Sequence, residues 1–180
     1  MINFAPFYMS MIQIEHATVA DVPELTTLIN KAYRGADAMK GWATESHLLD
    51  GLRIDQETLT EYLQSDDTVF FKCSEGDEII GSVQIKLTPT GVYFGMLTVN
   101  PFKQNTGTGK LLLKQIELFA KQRNYDRVYM TVITVRDELI AWYERHGYVR
   151  TGEIEPFPTE TKFGVPKQPL ELMVMEKHLN

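Results

Sequence analysis

Cysteine is nearly absent. Cys73 is the only one in 180 residues, so no disulfide can form within the chain. That agrees with a reducing cytosol, and a cytoplasmic location is expected. The four histidines are scattered, and with a single thiol they offer no zinc ligand set, so no metal is expected. Long apolar runs are missing too. None approaches the roughly 18 residues that a membrane helix needs, and no membrane partner is expected. Residues 1–12 lack a basic start and a cleavage site, which argues against a secretory signal. Positive charge is in short supply. The chain has 18 Lys and Arg against 24 Asp and Glu, a net charge of −6, with a pI near 5.2. Broad attraction to nucleic acid is therefore not expected. There is no tandem repeat, low-complexity tract or long linker. What is present is 43% hydrophobic and 23% charged, the composition of one globular domain with a sizeable core.

Residues 1–10 read as an extension and 11–180 as the domain. Alternating apolar and polar residues over 11–15 predict a short strand. Thr18 or Asp21 is placed to cap a helix carrying Val22, Leu25, Leu28, Ile29 and Ala32, with Gly35 as its stop. Residues 34–51 read as a loop or short helical turns, and 54–63 as a second helix. Strand-like runs follow at 68–73, 78–87 and 92–99, separated by Glu75-Gly76-Asp77 and Thr88-Pro89-Thr90-Gly91, which is turn chemistry. Leu111, Leu112, Ile116, Phe119 and Ala120 then form a helical apolar face. A strand at 127–132, a helix at 137–146 and strands at 148–154 and 170–175 complete the order. Residues 155–169 form a long loop with four prolines. The expected fold is α/β, with a mixed, mostly antiparallel sheet of six to seven strands and flanking helices. Strands 92–99 and 127–132 are expected to run parallel across a crossover helix.

The sharpest chemical signal is Gln104-Asn105-Thr106-Gly107-Thr108-Gly109-Lys110, between a strand and an amphipathic helix. Two glycines remove Cβ atoms where a ligand must approach the backbone. Free N–H groups at the helix start, with the helix dipole, favour an anion such as a diphosphate. A Walker A loop would need Gly at 104 and Ser or Thr at 111, where Gln and Leu stand. A dinucleotide fingerprint would need Gly or Ala at 112, which is Leu.

Q-x-x-G-x-G after Leu97-Thr98-Val99-x-Pro101 resembles the coenzyme A diphosphate loop of the GCN5-related N-acetyltransferase (GNAT) superfamily. Leu139-x-x-Trp142-Tyr143-Glu144-Arg145-His146-Gly147-Tyr148 is similar to that family's later helix, and the element order from about Ile12 onward fits it. One departure is Arg136. Many members carry Asn there, which accepts a hydrogen bond from the coenzyme arm, whereas Arg has no acceptor. Arg136 is instead suited to a phosphate or to closing the site by charge.

The resemblance implies a single-domain enzyme that uses acetyl-CoA, with the coenzyme in a V-shaped split between the fourth and fifth strands. The coenzyme arm would pair with backbone groups of Leu97 and Val99, beside Thr98, as an added strand. One of those amides would polarise the thioester carbonyl. Amides from Asn105 to Lys110, including those of Thr106 and Thr108, would hold the diphosphate. The acceptor would be a primary amine of a small molecule or peptide, attacking directly. Tyr143 would protonate or hydrogen-bond the departing thiolate. On helix spacing alone it is a core aromatic beside Trp142. The base stays open between Glu45, His47 and a water relay, because strand 92–99 has no carboxylate. Trp42, Glu45, His47 and, in the proline-rich loop, Phe157 are the candidate acceptor contacts. Each also has a plain reading as a loop or packing residue. A non-catalytic acyl-CoA sensor on the same fold, a nucleotide-phosphate enzyme, transfer of a longer acyl group and a homodimer all stay open.

Overall fold

A computed structural model of the chain describes residues 12–38, 44–160, 162 and 164–180. The expected extension, residues 1–10, lies outside them.

The order is β1 (Ile12–His16), a 3-10 turn (Val19–Asp21), α1 (Val22–Tyr33), α2 (Gly35–Ala38), β2 (Leu49–Asp50), α3 (Gln56–Gln64), β3 (Thr68–Glu75), β4 (Glu78–Thr88) and β5 (Gly91–Val99). A second 3-10 turn (Pro101–Lys103), α4 (Thr108–Gln122), β6 (Arg127–Ile133), α5 (Asp137–Arg145), β7 (Val149–Pro156), β8 (Val165–Pro166) and β9 (Glu171–His178) follow. The start of the first helical run is set by Thr18 and Asp21. The Thr18 amide donates to Asp21 Oδ2 at 2.8 Å, in a reciprocal cap. Gly35 does not end α1, as the sequence suggests. Arg34 leaves the helix in extended conformation, and Gly35, at φ +79°, opens a new short turn of helix.

Among the described residues, seven strands form one sheet in the order β1-β3-β4-β5-β6-β9-β7, antiparallel except for the β5–β6 pair. Residues on β3 and β4 alternate between two cores. Phe71 and Ile80 join α4 and α5 on one face, while Phe70 and Ile79 join α1 and α3 on the other. Burial on both faces explains why these strands read as nearly continuous apolar runs.

The two parallel strands meet only at their starts, Val92 opposite Val128 and Tyr93 opposite Tyr129. Gly91 allows that meeting, since a Cβ there would lie 2.8 Å from the Arg127 carbonyl oxygen. Beyond Tyr93 no ladder joins β5 to β6, and the expected V-shaped split opens. A second sheet, β2 with β8, pairs two stretches that the sequence reads as loops. It ties the 44–50 segment to the proline-rich segment, with Leu48, Leu49, Ile133 and Leu170 packed beneath.

Candidate active site

Two cavities lie along the split. One, of about 790 Å³, is bounded by Gln104, Asn105, Gly107, Thr108, Gly109 and Lys110 on one side and by Trp142, Arg145 and His146 on the other. The other, of about 760 Å³, includes Tyr33, Glu45, Arg53, Leu97, Tyr143 and Phe157 in its wall. Two buried residues of β5 serve the cavities. Leu97 lines the second cavity and Val99 the first, while Leu139 of α5 touches both.

The glycine turn is set by backbone conformation rather than by packing. Gly107 caps α4 at φ +86°, a left-handed conformation that favours glycine, and a Cβ built on it would meet nothing within 4 Å. Thr106 braces the turn by donating to the Lys103 carbonyl at 2.7 Å, and its hydroxyl sits 2.9 Å from that of Thr108. Thr108 is buried and docks α4 onto the sheet. The amides of Asn105 through Lys110 donate to no acceptor among the described residues, whereas the next, Leu111, already donates to Gly107. Six N–H groups in and around a helix start, beside Lys110 and Arg145, suit a diphosphate. The residues present therefore fit coenzyme A.

At the point of the split, β5 departs from regular geometry. Met96 and Leu97 together face the single Val83 of β4, a β-bulge, and Met96 takes φ +45°. A non-glycine residue in that region marks strain held by its surroundings. Two contacts hold it: Thr98 Oγ1 donates to the Met96 carbonyl at 2.9 Å, and Tyr33 Oη donates to the Leu97 carbonyl at 2.9 Å. Thr98 is fully buried, so its part is to fix the bulge from below.

Tyr143, on α5, is 6% exposed; its ring packs edge-on against Trp142 and Tyr148 and tilted against Phe94. Burial pushes its phenol well above the ordinary value of 10. The neighbouring Tyr33, Tyr148 and Tyr93 push the same way, and Arg136 opposes them. Tyr33 is likewise raised to about 12, mainly by burial. Arg136 precedes α5 and lines the cavity of Tyr33 and Tyr143 rather than that of the glycine turn.

The candidate acceptor residues separate. Glu45 lies in the cavity wall, and its Oε2 accepts from Arg34 Nη1 at 2.6 Å in a largely buried ion pair. Phe157 lies in the same wall and packs on the small core under β2 and β8. His47 is exposed on a turn and does not line the cavity. Trp42 lies outside the described residues. Tyr33, Met96 and Arg53 were not legible from sequence. Tyr33 and Arg53 gain their roles from partners far along the chain, and nothing local marks Met96 as a bulge.

Comparison with known proteins agrees with this geometry. The family described as the acetyltransferase (GNAT) domain matches residues 47–157, more than half of the chain. Among solved structures, the ribosomal-protein-S18-alanine N-acetyltransferase from Escherichia coli is 15% identical over 94% of this chain and 95% of that one, with a TM-score of 0.69. A ribosomal-protein-alanine N-acetyltransferase from Brucella melitensis is 20% identical over 93% and 99%, at 0.69. A probable acetyltransferase from Staphylococcus epidermidis is 12% identical over 94% and 100%, at 0.72. At such identities the likeness concerns the fold. No curated protein matches the chain in sequence. With more than half its length matched by the family and its sheet split beside a glycine turn, the chain belongs to the GNAT acetyltransferase family.

Proposed function

We propose that this chain transfers an acetyl group from acetyl-CoA to a primary amine of a small molecule or peptide, by direct attack and with no covalent enzyme intermediate. The observation that carries the reading is the set of amides from Asn105 to Lys110 that have no acceptor among the described residues, bordering one cavity, with Tyr143 in the wall of the second cavity along β5. The coenzyme supplies an acyl carbon activated as a thioester.

The chain's own residues do the rest. Amides of the glycine turn hold the diphosphate. Backbone groups of Leu97 and Val99 align the arm as an added strand. The bulge turns an amide toward the thioester carbonyl and polarises it, and Tyr33 keeps that peptide from relaxing. The amine lone pair forms the new C–N bond, and the C–S bond breaks with its electron pair going to sulfur. The proton shed by nitrogen passes through water on the polar wall that includes Glu45, and onward to the thiolate. Tyr143 donates a hydrogen bond to the departing sulfur. Its phenol holds its proton more tightly than an ordinary thiol, whose pKa is near 8.5, so stabilising the thiolate suits it better than protonating it. A cytoplasmic location fits a chain whose lone thiol, Cys73, is free and buried.

The test is incubation of the purified chain with acetyl-CoA and a broad panel of amines, read as free thiol released. Turnover with any primary amine supports the reading. Coenzyme binding without turnover across the panel would assign a sensor instead, and no binding at all would overturn both.

A further inference from the structure

The cavity on the Tyr143 side has charge of both signs in its wall, and most of it is already committed or sits at the edge. Glu45 is paired with Arg34. Lys86 and Asp67 face each other at 3.5 Å, both exposed. Glu61 and Glu155 are exposed. Arg136, also in this wall, makes interactions of its own. Arg53 differs from all of these. It is half-buried, and among the described residues its guanidinium makes no ion pair and no hydrogen bond.

Its position is nevertheless fixed. The side chain of Asn30, on α1, clamps the backbone around it: Oδ1 accepts from the Arg53 amide at 2.7 Å, and Nδ2 donates to the Ile54 carbonyl at 2.7 Å. The guanidinium lies over the ring of Tyr33, with Cζ 5.5 Å from the ring centre. A cation over a ring face is attracted by the ring's charge distribution, and that attraction uses up none of its N–H donors. The hydroxyl of the same ring holds the Leu97 carbonyl at the bulge. A guanidinium partly removed from water, with no anion among the described residues, therefore lies over the ring whose hydroxyl holds the strained turn of β5. A half-desolvated cation is favourable only once an anion meets it, and the geometry of the fork matches a carboxylate with two parallel hydrogen bonds.

We propose that Arg53 binds a carboxylate of the acceptor, so that the preferred amines are amino acids and related zwitterions with a carboxylate a few bonds from the amine. This rests on the acetyl-transfer reading of the site. The exposed Glu61 and Glu155 complement it by favouring approach of the cationic end.

The test uses matched pairs of acceptors, each amino acid beside its carboxamide, with thiol release as the readout. The chain is expected to favour the carboxylate member in kcat/KM. Arg53→Gln is expected to lower that preference ratio about ten- to a hundredfold, mostly through KM. Arg53→Lys keeps the charge but loses the fork, and is expected to fall between. Coenzyme A affinity, measured by calorimetry, reports that each variant is folded, and Arg53→Lys carries the test should the glutamine variant fail it. A preference ratio that the substitutions leave unmoved, or a chain that favours carboxamides or polyamines, overturns the anchor while leaving acetyl transfer standing. Silence with every acceptor overturns both.

Discussion

Tyr143 and Tyr33 are two buried phenols at one throat with different work. Tyr33 is spent on the Leu97 carbonyl, so it shapes the bulge. Tyr143 has its ring packed among aromatics and faces the cavity. Tyr143→Phe should lower kcat about ten- to a hundredfold, the worth of one hydrogen bond to a charged atom, and leave coenzyme affinity nearly as it was. Since burial raises this phenol well above 10, it should add no alkaline limb to the pH–rate profile below pH 10. A stopped assay across pH 7–10 on both forms checks this, and an inflection lost with the hydroxyl would contradict it. At this scale the sequence is uneven. The place of Tyr143 in the cavity wall was legible because a motif of adjacent residues carries it. Tyr33 touches Leu97 across 64 positions and Arg53 meets Asn30 across 23, distances over which no local pattern speaks.

The elements follow from their own residues more directly. The strands at β3 to β6 and the amphipathic helices α1, α4 and α5 fall within a few residues of where apolar periodicity places them. The sheet of β2 with β8 escaped because two-residue strands have no period to detect. The turn into α4 gives the sharpest test of an element. Gly107→Ala adds a methyl that meets nothing within 4 Å among the described residues, at a φ that costs a non-glycine residue about 1–2 kcal/mol. The variant should fold with that modest loss, while the Kd for coenzyme A rises about tenfold or more, because the methyl takes space that the diphosphate needs. Calorimetry with paired denaturant melts separates the two effects. Gly81→Ala acts on the same helix from behind. Its methyl would stand 2.9 Å from the Thr98 carbonyl oxygen, 3.0 Å from Thr108 Cγ2 and 3.2 Å from Leu112 Cδ1. Backbone and helix must shift, so about 1–3 kcal/mol of stability should be lost in urea unfolding. Coenzyme affinity should fall with it as the N-terminus of α4 is displaced.

The whole molecule carries the consequence of holding phenols in a dry interior. Tyr33, Tyr143 and Tyr148 are all harder to ionise in the fold than in water, each chiefly through burial. The folded-state value lies above the unfolded one, so the unfolded chain gives up these protons first. The stability they support is complete below pH 10, the ordinary tyrosine value, and is lost as pH rises from there. For Tyr33 the loss runs from about 10 to about 12, and is on the order of 2–3 kcal/mol. Denaturant melts should therefore give a flat stability from pH 7 to 9 and a steep fall above 10. Tyr33→Phe removes one of the ionising groups. It should start less stable at neutral pH by the lost Leu97 contact, about 1 kcal/mol, yet decline less steeply in alkali, so the gap to the parent closes as pH rises. Parallel curves that keep the same gap to pH 11 would show that the phenol ionises as freely in the fold as outside it. That would also remove the dry throat on which the proposed hydrogen bond from Tyr143 to sulfur depends.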